Sequence, residues 1–149
     1  MIPRVLLLLF LALGSRSLAA DAPDADVISR ITGLEPDVKN GVAKVSAPRA
    51  DLTVTVDGVR MQPFQGLASW AAFTGSGAET VVMGDLTPAE DEVSPVMDAA
   101  LGNSLEVTAL HNYFWFDYSR ILFMHLAGTG STEKLATGVR EALEGASAG

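Results

Sequence analysis

The sequence predicts an α+β fold: one mostly antiparallel sheet with helices packed on it. Its C-terminal half is expected to be a split β-α-β-β-α unit, completed by N-terminal strands. Three observations predict this. Apolar and polar residues alternate at Leu52–Val56 and again at Leu105–Ala109, the period of half-buried strands. Two stripes, Val93, Val96, Met97, Ala100, Leu101 and Leu135, Val139, Ala142, Leu143, recur at helical spacing. From Thr80 onward the order is strand, helix, two strands, helix, with no strand after it. The crossover between the first two strands should be right-handed, and a strand of the next hairpin can lie between them.

The chain opens with a leader. Met1–Arg4 is a short basic segment, Val5–Leu13 an apolar run, and Gly14–Ala20 supplies small residues for cleavage after Ala19 or Ala20. Nine apolar residues are too few to span a hydrocarbon core of about 30 Å. A signal peptide over residues 1–19 and a single domain over 20–149 are therefore expected, with an exported product, periplasmic or secreted.

Within that domain, Val27, Ile28, Ile31 and Leu34 mark a short helix closed by Gly33 and Pro36. Val42–Val45 reads as a strand. Leu52–Val56, Asp57-Gly58 and Val59–Gln62 read as a hairpin, because that dipeptide tolerates the positive φ of a tight turn. Leu67–Phe73 is apolar and short, strand or helix, and periodicity does not decide. Thr80–Gly84 is a strand. Thr87 offers an N-cap hydroxyl, Pro88 a first helical residue and Glu90 the reciprocal acid, so the next helix should start there. Pro95 should kink it near Asp91, unless Ser94 caps a second helix. Ile121–Ala127 is apolar on both faces, as a central strand is. Gly128–Gly130 reads as a turn, Ser131 or Thr132 as a cap, and Glu144–Gly149 as a frayed tail.

Charge narrows the function classes. The chain holds 10 basic and 18 acidic residues; two of the basic ones, Arg4 and Arg16, leave with the leader, so the mature balance is −10. Nucleic acid and anionic lipid both require a basic footprint. The absence of cysteine removes disulfides, thiolate metal sites and lipid attachment through sulfur, so no membrane anchor is expected after cleavage.

The stretch Gly84–Met97 (GDLTPAEDEVSPVM) resembles one signature of the LppY/LpqO-like family of exported bacterial proteins. Glu106–Asn112 (EVTALHN), Arg120–His125 (RILFMH), Gly128 and Gly130 are similar to a second. Asn40–Val45, Arg49–Val59 and Ser69–Phe73 resemble its N-terminal part, so the likeness covers most of residues 27–144. It implies export and no established activity. The chain departs from the family in lacking a lipid-attachment cysteine and in carrying Tyr113 and Ser119, where a histidine and a proline are common.

Two constellations carry chemistry. His111 and His125 are the only histidines, and hairpin register decides whether they share a face. A three-residue loop at Asp117–Ser119 would pair positions whose numbers sum to 236, placing the two imidazoles directly opposite; an odd sum would separate them. Together they would suit a divalent metal ion such as zinc, copper, nickel or iron, or acid–base work. Glu92 is the favoured third group, ahead of Glu90, Asp85 and Asp117. The alternative is a half-buried pair bonded to its neighbours. The aromatic run Tyr113-Phe114-Trp115-Phe116, with Asp117 and Tyr118, reads as a binding lip or as packing under the N-terminal half. The run Glu90-Asp91-Glu92 reads as a cation site or as charge complementing a helix dipole.

No nucleophile elbow or phosphate loop is present. The reading is an exported binding module for a metal ion, a small ligand or an exported partner protein, favoured over an enzyme. A small metal-dependent or histidine-based hydrolase and a structural interaction domain are the alternatives.

Overall fold

A computed structural model of the chain describes residues 22–146; the leader and its cleavage site lie outside the described residues. Helix α1 (Ala25–Thr32) starts where Asp24 Oδ1 accepts from the Val27 N–H and stops at Gly33, whose φ of 71° is left-handed. There follow β1 (Asp37–Lys39), β2 (Val42–Pro48), β3 (Thr55–Val56), β4 (Val59–Arg60), β5 (Ala68–Thr74) and β6 (Thr80–Leu86). Helix α2 (Val93–Gly102), β7 (Glu106–Asn112), β8 (Asp117–Tyr118), β9 (Leu122–Gly130) and α3 (Thr132–Gly145) complete the order.

The fold is α+β, as the sequence predicts. Six strands form one antiparallel sheet in the order β1-β2-β5-β6-β9-β7. Strand β9 lies between β6 and β7, which run parallel to each other across it. That is the split arrangement, with β5, β2 and β1 extending the sheet from β6. A three-stranded sheet, β4-β3-β8, stands beside it.

One face of the large sheet packs on the helices. Ala43, Val45, Ala71, Phe73, Val82, Leu86, Met124 and Leu126 meet Ile28 of α1, Val96 and Ala100 of α2, and Leu135, Val139 and Ala142 of α3. The residues between them in sequence, including Lys44, Trp70, Met83, Asp85, Phe123 and His125, project to the other face. Met83 there is 61% exposed. A second cluster of Val54, Met61, Leu67 and Ile121 sits under the small sheet.

Several local expectations give way to longer-range bonds. Leu52–Val56 is a strand only at Thr55–Val56, because Val54 turns into the second cluster. The tight turn itself forms, with Asp57 at φ 49° and Gly58 at φ 78°, and its return strand is the short β4. Thr87 does not cap a helix. Its N–H donates to Ser69 Oγ at 3.0 Å, and the chain stays extended so that Pro88 O accepts from the Leu122 N–H at 2.9 Å. The cap moves on: Glu92 Oε2 accepts from the Ala89 N–H at 2.7 Å. A 3-10 turn at Glu90–Glu92 then leads into α2. Pro95 falls in the first turn of α2, where no intrahelical donor is required, so it does not interrupt the helix. Gly128–Gly130 is not a turn but the end of β9. A Cβ on Gly128 would come within 3.0 Å of both Leu105 and Leu135 side chains, so the glycine serves close packing. Glu144 and Gly145 belong to α3, not to a tail.

Candidate functional site

The site lies on the open face, where β6, β9 and β7 run side by side. Register sets it. At the start of the β7–β9 ladder Glu106 pairs Ala127 and Val107 pairs Leu126. A β-bulge then intervenes: Thr108 is extra, and Ala109 pairs His125, Leu110 Met124 and His111 Phe123. Paired numbers sum to 233 before the bulge and 234 after it. Had the odd register continued, His111 would point toward the helices. The bulge turns it onto the face of His125.

The predicted direct opposition is therefore corrected to a diagonal one. The residues after Phe116 do not close a three-residue loop, because Asp117–Tyr118 leaves to pair Val56 and Thr55 in the small sheet. His111 nonetheless reaches His125: the two Nε2 atoms are 2.9 Å apart and the ring centroids 5.0 Å. His111 Nδ1 lies 3.0 Å from the Asn112 carbonyl oxygen. His125 Nδ1 pairs with Asp85 Oδ1, from the cross-strand partner of His125 on β6.

Hydrogen-bond roles follow by elimination. A carbonyl only accepts, so His111 donates through Nδ1. A carboxylate only accepts, so His125 donates through Nδ1. Each imidazole is thus held from behind, with Nε2 directed at the other. One proton can bridge the two Nε2 atoms. An ion could replace it: nitrogen ligands at about 2.0–2.1 Å and 2.9 Å apart subtend roughly 90°, and a tetrahedral ion asks for an opening of only a few tenths of an ångström.

Around the pair is an aromatic floor. Phe123 stacks on Tyr113 with centroids 4.2 Å apart and lies 5.5 Å from His111. Burial pushes the Tyr113 phenol pKa up, so the hydroxyl keeps its proton. Its oxygen occupies the place a Cβ on Gly66 would take, at 2.6 Å. A hollow of about 330 Å³, lined by His111, Asn112, Tyr113, Phe114 and Trp115, adjoins the pair.

Glu92, expected as the third group, is not brought to the histidines. It is buried, with Oε1 accepting from Arg49 Nη2 at 2.8 Å and Oε2 from the Ala89 N–H. Arg49 also donates to the Thr87 carbonyl at 2.6 Å and to both oxygens of Asp51. Burial opposes the guanidinium charge, but the hydrogen bonds it donates to Asp51 and Glu92, with the attraction of their charges, outweigh it and raise the Arg49 pKa. The Arg49 hydrogen bond holds Asp51 below the usual carboxylate range. Among the described residues no three His, Cys, Asp or Glu side chains converge as a metal cage.

The expected lip divides. Tyr113 packs inward, whereas Trp115 is 89% exposed and Asp117 is half-buried, its Oδ2 accepting from the Ile121 N–H at 3.0 Å. Sequence reasoning weighed Asp85 only as a less favoured third group, not as the carboxylate behind His125, and missed the role of Arg49. A signal existed for the first: Asp85 interrupts an apolar strand at a position facing away from Val82, Gly84 and Leu86.

Neither the curated proteins nor the solved structures give a match to this chain. The family described as Domain of Unknown Function (DUF1259) matches residues 26–145, which takes in α2, the bulged β7 and both histidines. The chain belongs to that family.

Proposed function

We propose that this is an exported binding module in which His111 and His125 hold a divalent metal ion through their Nε2 atoms. The observation that carries the reading is the 2.9 Å approach of those two nitrogens, each ring anchored from behind at Nδ1. A ring held by carbonyl or carboxylate at one nitrogen presents the other as a ligand, and such backing orients metal-bound imidazoles generally. Two protein ligands leave positions for water or a small ligand, and the hollow beside His111 has room for one. The N-terminal leader and the likeness to LppY/LpqO-like proteins support export.

In thermal unfolding of the mature protein, zinc, copper or nickel is expected to raise the midpoint. An ion at about a hundred times its Kd adds about 2.7 kcal/mol. His111→Ala and His125→Ala should each remove the effect, and Asp85→Asn should weaken binding about 10- to 100-fold. A wild-type protein indifferent to all three ions would overturn the reading. Export is checked separately: mass spectrometry of protein from the native compartment should find a start at Ala20 or Asp21, and an intact Met1 would refute it.

A further inference from the structure

We propose a second site at the small sheet, distinct from the histidine pair although Trp115 also borders the hollow beside His111: a hollow that binds a small organic ammonium ion of the quaternary class. Trp115, Phe116 and Tyr118 are 89%, 76% and 81% exposed, yet all three line one hollow of about 310 Å³. Large apolar side chains rarely gather in solvent without a ligand or partner to cover them.

The strand that carries Tyr118 is fixed. Tyr118 pairs with Thr55 across β3–β8, and the Thr55 hydroxyl donates to the Tyr118 carbonyl at 2.9 Å. The Asp117 carboxylate ties its own strand to the Ile121 N–H. The tight Asp57-Gly58 turn lines the same hollow. Little ordering of that strand is then left for binding to impose.

Charge selects the ligand. Asp57, Asp117 and Arg120 line this hollow with the rings. A neighbouring hollow of about 490 Å³ shares Asp117, Tyr118 and Arg120 and adds Glu90 and Asp91. Together the two hollows are lined by four carboxylates and one guanidinium, so the local field favours a cation. Asp117 Oδ1 is shielded from solvent and has no hydrogen-bond donor. A bare metal ion would need a converging oxygen cage, and the described residues contain none. A methylated ammonium needs no such cage: it is weakly hydrated, and the negative faces of aromatic rings attract it. Aromatic rings and carboxylates around a small hollow match that chemistry.

The test titrates choline and its neutral carbon isostere, dimethylbutanol, into the mature protein in chelator at constant ionic strength, read by calorimetry. Choline is expected to bind, with the isostere at least about tenfold weaker. Trp115→Ala should weaken choline by about two- to thirtyfold, while the unfolding midpoint stays put. Arg120→Ala should tighten it, because a like charge has gone, and His111→Ala should leave it unchanged. Equal binding of the isostere would make the hollow merely apolar and overturn the proposal. So would glucose binding in place of choline, weaker choline binding on Arg120→Ala, or loss of choline binding on His111→Ala. Failure of zinc, copper and nickel to bind the histidines would leave this site standing.

Discussion

Replacing Arg49 by alanine is expected to cost about 3–5 kcal/mol of folding free energy, the range for breaking a buried ion pair from one side. Arg49 is 3% exposed and joins three segments: the loop after β2 through Asp51, the extended stretch before α2 through the Thr87 carbonyl, and the α2 entry through Glu92. Removing it leaves the Glu92 carboxylate buried with one remaining donor, the Ala89 N–H. Chemical denaturation reads the loss directly. Arg49→Met combined with Glu92→Met should recover part of it, because the stranded charge is then gone. A single variant within about 1 kcal/mol of wild type would show that the ion pair contributes little. The pH dependence has a definite sign. Asp51 has its pKa lowered in the folded protein, so its contribution is full above the unfolded value of about 3.9 and fades as pH falls below it. Half of the Asp51 side chain is exposed, at 51%, so solvent screens this contribution.

The second large effect belongs to the register of β7. Inserting an alanine between Ala109 and Leu110 would shift the pairing beyond it by one residue, setting Leu110 opposite Phe123 and His111 opposite Leu122, so that His111 turns toward the helices and Leu110 outward. A buried imidazole without a partner and a lost apolar contact together should cost about 2–4 kcal/mol. Any ion-dependent rise in melting temperature should vanish with it. Thr108→Ala keeps the residue count and should keep both properties. An insertion variant that retained the wild-type response to zinc would mean that this register does not place His111.

This register marks the limit of what the sequence discloses. Strand periodicity and the order of elements were enough for the sheet, its split C-terminal half and the Asp57-Gly58 turn, since period and turn depend on neighbours within a few residues and the rules for crossover connections supply the arrangement. The bulge was not legible, because Glu106–Asn112 reads through as a plausible alternation with or without an extra residue. The histidines could be suspected of meeting, since any even register unites them, but not the route by which they do. Glu92 was misplaced for a related reason. Three acids at a helix start look alike from sequence, and the partner that selects Glu92 lies 43 residues away. Thr87-Pro88 carries a sound capping pattern that a buried Ser69 hydroxyl and a bridge between Ala89 and Ile121 override.

The sheet ends at β1 on one side and β7 on the other. Strand β1 is three residues long and carries Asp37 and Lys39, a poor template for another chain. Strand β7 has seven residues with alternating exposure and would by itself invite a neighbouring molecule to add a strand. The extra residue at Thr108 breaks the spacing of its outward N–H and C=O groups, so an incoming strand cannot stay in step past the middle. The irregularity beside the histidine pair thus also guards the molecule against edge-to-edge aggregation, and straightening β7 by deleting Thr108 would be expected to lower solubility while leaving His111 on the face of His125.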